Sequence, residues 1–333
     1  MIIQGLTLEG GLELKYVAPP PGFQGSNYGY AFYNSSPTLM GIEKFSLASD
    51  QNSTLHSTGG GKTPSSNATG QRSDTHGYAM LSRYPFGGIG IDKFPFAHGT
   101  DSQVSLNINR HDGVGITSAQ AGYQAGSFSP SWTEKDILKF LFVSDNTSTI
   151  SGDLLVPNTI NSIAGVNSTE AGYIMGGYKD PFPGTPKRSD GIEKFSFATD
   201  GNTTGVGTLS VEKNNLAGIS STTHGYSAGG FADQTPYSDI EKFSFASDGA
   251  TSYVGWPVIT AQKPNGYTYQ LAASSSTESG YLAGGQGNVP GNASPGANST
   301  KWAIQKFPYA TDSDTTDVGD LLQSRGGATG TQS

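Results

Sequence analysis

The chain has 333 residues, no cysteine and a formal net charge of −8, with a sequence pI near 5.0. That acidity, with only five arginines, removes the attraction to phosphates on which nucleic-acid binding depends. The missing cysteines exclude a disulfide framework and a thiolate metal site, and no apolar run approaches membrane-spanning length.

Only 14% of residues are charged, against a usual ~25%. The polarity therefore comes from Ser, Thr and Asn together with 47 glycines and 18 prolines, a turn-rich composition that predicts an all-β protein. The start, Met1-Ile2-Ile3-Gln4-Gly5-Leu6, lacks the basic and apolar regions of an export signal, so none is expected.

Residues 6 to 14 alternate apolar and polar on both sides of Gly10-Gly11, which predicts a hairpin with a tight turn. A lone hairpin is marginal in water, so it must either cover its own domain or dock on a neighbour. Pro19-Pro20-Pro21 stiffens the link to the rest of the chain. Residues 1–21 are thus read as an N-terminal β arm with a Pro linker, and residues 22–333 as one repeat domain.

Within that domain a Lys-Phe pair recurs at Lys44, Lys93, Lys139, Lys194, Lys242 and Lys306. A Gly-Tyr pair precedes each, at Gly29, Gly77, Gly122, Gly172, Gly225 and Gly280, with gaps of 48, 45, 50, 53 and 55 residues. Self-similarity at this period marks a solenoid, a propeller or an array. The clearest unit runs from Thr223 to Asp248: a Gly-Tyr strand ending in Gly229-Gly230, a polar turn, then Ile240-Glu241-Lys242-Phe243-Ser244-Phe245. The doublet recurs at Gly176-Gly177 and Gly284-Gly285, whereas the first three repeats carry Tyr33-Asn34, Leu81-Ser82 and Gly126-Ser127 there.

In the Lys-Phe strand of the fourth repeat, Phe195 and Phe197 share one face and Ile192 takes the other. Apolar residues on both faces fit blades covered on both sides by neighbours. Turns rich in Asp, Asn and Gly come next, such as Thr199-Asp200-Gly201-Asn202. Two further strands complete each period: Val206 to Val211, for example, and then Ala217-Gly218-Ile219-Ser220-Ser221, which leads into the next Gly-Tyr. Four strands per period is the count of a propeller blade. Residues 327 to 333 match the last of these elements, yet no Gly-Tyr strand comes after them. They are expected to pair with the strand at Gly29-Tyr30 and close a six-bladed β-propeller; the competing arrangement donates this strand to the next molecule.

The Gly doublet, the aromatic strand about fifteen residues later and the period near fifty resemble the kelch repeat over residues 22 to 333, with Phe in the aromatic role and no recurring Trp. The string Gly-Tyr-x-x-Gly-Gly followed by Ile-Glu-Lys-Phe-Ser-Phe-Ala-Thr-Asp resembles repeats of structural and tail-fibre proteins of marine and cyanobacterial phages. The resemblance implies a virion location, after assembly in the host cytoplasm. Its implied partners are other virion proteins reached through the arm, further copies of the chain and a host surface glycan, with no cofactor.

Loops after the doublet position emerge on one rim and carry Tyr84, Phe86, Trp132, Tyr178, Phe182, Tyr237 and Trp302. Aromatic faces there could stack on sugar rings, with Asp180, Lys187, Arg188 and Asp233 supplying hydrogen bonds. The same residues could equally cap their own blades. Asp312, Asp314 and Asp317 lack the glycine and distal glutamate of a calcium loop, and His76 and His224 lack ligand-spaced partners, so turn roles are expected for all five and no metal site. No nucleophile elbow, zinc-protease motif or phosphate loop is present, and a kelch-type copper radical oxidase would need a thioether cysteine. The expected function is non-enzymatic: a phage tail-fibre or other exterior virion protein making protein or glycan contacts. The alternatives are a carbohydrate-binding adhesin of a cell's extracellular surface and a polysaccharide-degrading enzyme whose paired carboxylates come from different blades.

Overall fold

The architecture arises from one cross-strand pairing repeated six times. In the antiparallel ladder Gly172 faces Phe195, and the same register sets Gly29 against Phe45, Gly77 against Phe94, Gly122 against Phe140, Gly225 against Phe243 and Gly280 against Phe307. The phenylalanine ring lies over the glycine: a methyl added to Gly172 would stand 2.5 Å from Phe195. This explains why each Lys-Phe strand is preceded by Gly-Tyr. The glycine leaves room for the ring, and the tyrosine beside it faces the lysine across the ladder.

The computed structural model describes residues 6–9, 13–16, 25, 27–36, 39–58, 69–81, 90–97, 102–104, 113–126, 135–145, 149–155, 160–179, 187–232, 235–257, 267–269, 271–288, 299–325 and 329–333. Among them there is no helix, and therefore none long and apolar enough to cross a membrane. Six four-stranded antiparallel blades form a β-propeller. Blade 5 is representative: inner strand Ala217–Ser220, Gly-Tyr strand His224–Ala228, Lys-Phe strand Ile240–Ser244 and outer strand Asp248–Gly255. The inner strands of the other blades are Thr69–Arg72, Val114–Thr117, Ala164–Asn167 and Ala272–Ser275 in blades 2, 3, 4 and 6.

Blade 1 takes its inner strand from the other end of the chain. Thr329–Gln332 pairs with Tyr28–Ser36 in the register Gly29 to Gln332, so the ring is closed within one molecule. The entering chain reinforces this joint, because the Gly25 amide donates to the Ser275 carbonyl of blade 6 at 2.7 Å. Around the axis the inner strands approach too closely for side chains. A methyl on Gly218 would strike the Gly165 carbonyl, one on Gly70 that of Gly330, and one on Gly330 that of Ala273. Near the N-terminus Leu6–Glu9 pairs antiparallel with Glu13–Tyr16 as a hairpin, with Leu8 opposite Leu14 in the register.

The seams between blades carry the core. Phe195 packs with Val114, Ile116 and Tyr123 of blade 3, while Ile192 belongs to the cluster that includes Phe243 of blade 5, so both faces of the strand are buried. The six Gly-Tyr tyrosines are at most 1% exposed. At five seams the tyrosine stacks on an aromatic ring of the next blade, with centroids 5.0–5.2 Å apart and planes 23–26° apart. At the sixth, between blades 6 and 1, Leu47 replaces that ring and its carbonyl accepts from the Tyr281 hydroxyl at 2.8 Å. Each such aromatic pair is worth about 0.5–1.5 kcal/mol beyond its buried area.

Charge takes the same path. Lys139 bridges to Asp200 at 2.9 Å and Lys194 to Asp248 at 3.1 Å, each carboxylate lying in the turn of the next blade. Lys93–Asp145, Lys242–Asp312 and Lys306–Asp50 repeat the pairing. Burial alone would lower the pKa of Lys194, but the Tyr173 hydroxyl and Asp248 outweigh it and hold it above its ordinary value. The aspartates have left-handed backbones, φ 49° at Asp145 and 54° at Asp200 and Asp248, which Asp tolerates better than most residues. Where repeats five and six would predict Asp, blade 2 has Gly99, and Lys44 of blade 1 instead lies 4.8 Å over the Tyr28 ring.

The doublets end the Gly-Tyr strands. Gly229 and Gly230 have φ of 66° and 119°, and Gly176 and Gly177 have 63° and 91°. Blade 1, which lacks the doublet, runs its ladder on to Ser36 against Leu39.

Candidate functional site

The doublets turn the chain out onto one rim, and over blades 4, 5 and 6 that rim bears a second tier of small sheets. Ile160–Asn161, Tyr178–Lys179 and Lys187–Arg188 form one; Phe231–Ala232 with Thr235–Pro236 forms another; Tyr267–Tyr269 with Gln286–Asn288 extends the long Lys-Phe strand of blade 6. Short two-residue ladders of this kind have no core of their own, and the connector between blades 4 and 5 is one of the segments that bonds to them.

That connector is tied on every side. The Lys213 amide donates to Ser189, its carbonyl accepts from Gly177 at 2.9 Å, and Asn214 exchanges both backbone bonds with Phe231 at 3.0 and 2.8 Å. Asn215, at φ 58°, donates to the Ser162 carbonyl in the preceding connector. Above this mesh Tyr178 and Arg188 face each other across their ladder. The Arg188 guanidinium lies 5.4 Å from the Tyr178 ring centre and 5.6 Å from that of Phe231, and its Nε donates to Asn214 Oδ1 at 3.1 Å. Cation–π contact on two rings and a fixed Nε bond orient a planar cation that would otherwise be free to rotate. Lys187, next to it, is exposed.

Beneath the cluster lies a buried charge group. Lys213 has a fully buried side chain; its Nζ stands 3.0 Å from Asp239 Oδ1 and also donates to Glu241 Oε1. Burial pushes the Asp239 carboxyl above its ordinary range against the opposing pull of Lys213. Burial acts the same way on Glu241, but there Lys213, the Thr251 hydroxyl and the Ser210 amide outweigh it and bring the carboxyl down to about 2.

Of the residues the sequence singled out, the structure brings Tyr178 and Arg188 together. Tyr237 is half-buried in blade 5, its amide donating to Gly230 at 2.9 Å, and Trp302 is 55% exposed at the start of the Lys-Phe strand of blade 6. Tyr84, Phe86, Trp132 and Phe182, with Asp180 and Asp233, lie outside the described residues. Phe231, Asn214, Lys213, Asp239 and Glu241 were not anticipated. The one usable signal was Asp239-x-Glu241, a spacing that puts two carboxylates on the same face of a strand.

No known protein-family profile and no curated protein matches the chain.

The two histidines and three aspartates noted in the sequence take turn and seam roles. His76 and His224 each share a 2.8 Å hydrogen bond between Nδ1 and the hydroxyl of the preceding threonine. Burial, with Lys93 or Lys242 nearby, lowers both imidazole pKa values. Asp314 accepts the Trp256 amide, Asp317 that of Gly319, and Asp312 pairs with Lys242, so the three carboxylates point to three different partners. Among the described residues no group of three metal-ligating side chains converges.

Proposed function

We propose that the protein is a non-enzymatic binding component of a phage virion exterior, of tail-fibre type, whose rim over blades 4 and 5 contacts protein or host-surface glycan. The observation that carries the binding part is the Tyr178–Arg188–Phe231 cluster. It presents aromatic faces beside a cation on a second tier of structure that the blades themselves do not need. Rigid aromatic and arginine groups of this kind lose little entropy on binding and dominate recognition surfaces. The virion part rests on the resemblance of the repeat string to phage structural proteins, and it gives the N-terminal hairpin the task of attachment to other virion proteins or to further copies of the chain.

The test is saturable binding of labelled full-length protein to a panel of bacterial cells, with free sugars as competitors. Sugar-sensitive binding that falls at least tenfold in R188A is expected. Binding to no cell, or binding indifferent to Arg188, would overturn the rim as a contact surface. Deleting residues 1–20 separates the virion component from a freestanding adhesin: the former loses its higher-mass assemblies and the latter keeps its mass. Release of reducing sugar from host polysaccharide would favour an enzyme instead.

A further inference from the structure

The buried Lys213–Asp239–Glu241 group does more than a seam requires. In blades 1 and 4 the equivalent glutamates, Glu43 and Glu193, accept a hydroxyl from Ser53 and Thr203 and a backbone amide from the preceding blade, Leu322 and Leu155 respectively. Glu241 makes the same two bonds through Oε2, to Thr251 and to the Ser210 amide. Its Oε1 is left for Lys213, and among the described residues only blade 5 puts an amine against this carboxylate. We propose that Lys213 and Asp239 condense spontaneously into an intramolecular isopeptide bond, with Glu241 as the proton carrier.

The geometry meets the three demands of that reaction. The amine and the carboxyl group it would attack are in contact, at 3.0 Å from Nζ to Oδ1. Both are anchored: the Lys213 backbone is bonded to Ser189 and Gly177, and the Asp239 carbonyl accepts the Gly229 amide at 2.9 Å, so the pair is held together without further loss of freedom. Water is excluded, since the Lys213 side chain is wholly buried and those of Asp239 and Glu241 are 13% and 2% exposed. Burial raises the Asp239 pKa, which favours the neutral carboxyl that an amine can attack.

The step balances without any co-reactant. Glu241 takes a proton from the Lys213 ammonium, and the amine lone pair forms the C–N bond to Asp239 Cγ. Glu241 then passes its proton to the departing hydroxyl while accepting the second proton from nitrogen, the C–O bond breaks and one water leaves. The lysine charge ends as the proton retained by Glu241. A desolvated ion pair is replaced by a neutral amide, which removes the cost of keeping two charges out of water. The bond would close a loop between residues 26 apart and fix the connector that carries Asn214 and, through it, Arg188.

The test is the intact mass of the folded full-length protein. It is expected to be lighter than its sequence by one water, with a branched proteolytic peptide joining the segments of Lys213 and Asp239. Full sequence mass in the folded protein overturns the proposal, as does a water loss mapped elsewhere. E241Q should restore the full mass with an unchanged circular dichroism spectrum, because blade 6 already carries Gln305 at this position, bonded to Thr315 at 2.9 Å. A cross-link formed as completely in E241Q as in the parent overturns the role of Glu241. D239N should lose ammonia in place of water and yield a product of the same mass as the parent, and an unreacted D239N that is folded counts against the pairing.

Discussion

Replacing Gly172 with alanine puts the Gly-over-Phe pairing to its sharpest test. The new methyl would stand 2.5 and 2.6 Å from Phe195 ring carbons and 2.8 Å from Ile116 Cγ2. The ring has little room to yield, since it lies 5.2 Å from Tyr123 and 5.6 Å from Phe197, centre to centre, and is itself buried. Overpacking of this kind costs about 1–3 kcal/mol. A chain of 333 residues has an unfolding entropy near 0.7 kcal/mol/K at its midpoint, so the expected fall in Tm is roughly 1–4 °C. Differential scanning calorimetry reads this directly. Combining G172A with F195L trims the opposing ring, and the pair should be more stable than the sum of the single changes by about 0.5–3 kcal/mol. G172A melting with the parent protein, or strict additivity in the double mutant, would refute the assignment of the glycine to the ring.

The other expectations concern the turns, the closure and the tyrosines. G230V places a β-branched residue at φ 119°, against Leu216, and should destabilise the fold by more than about 2 kcal/mol in urea titration; a parent-like midpoint would argue against strain at the doublet. Removing residues 327–333 strips blade 1 of its inner strand and leaves the Tyr28–Ser36 edge bare, so the truncated chain should lose its cooperative transition; one that melts like the full chain would contradict closure. Burial raises the pKa of all six Gly-Tyr tyrosines, that of Tyr226 to about 12. Below pH 10 the phenols are protonated in both states and stability is complete. Above it the unfolded chain ionises first, so stability falls as pH climbs from 10 towards 12. Chemical denaturation across this range should show that fall, and Y226F should make it shallower; an equal slope would remove Tyr226 from the linkage.

Much of the fold was legible because its period is written in two dipeptides, and even the closing strand was visible as an inner strand with no successor. What the sequence hid was direction. Lys194 and Asp200 stand six apart in one repeat, and the same spacing occurs at Lys139 and Asp145, yet Lys194 pairs with Asp248, 54 residues on, and Asp200 receives Lys139 of the blade before. Local spacing suggested a turn residue, and the turn is there; its second role depends on how blades stack. The rim shows the same limit. Tyr178 and Arg188 could be named from composition, but their pairing depends on a two-residue ladder, and Phe231 arrives from the next repeat. Lys213 gave no signal at all, because nothing in its neighbourhood of sequence reveals that Asp239 and Glu241 will enclose it.

The seams run the same way round: at five of the six a cation reaches the next blade's anion, and at five a tyrosine stacks on the next blade's ring. Each blade therefore offers two unlike, mutually complementary flanks, as the subunits of a cyclic head-to-tail oligomer do. The propeller is in effect such an oligomer threaded on one chain, and nothing in the chemistry of a seam counts to six; the number is fixed by the angle at which flanks meet and by the first and last strands sharing a blade. The repeat sequence departs from its pattern at Gly99, and Leu47 breaks the equivalence at the seam between blades 6 and 1. A duplicated unit inserted among blades 3 to 5 would find matching flanks at both ends, while one inserted beside blade 1 would not, so growth or loss of blades is favoured far from the joint that closes the ring.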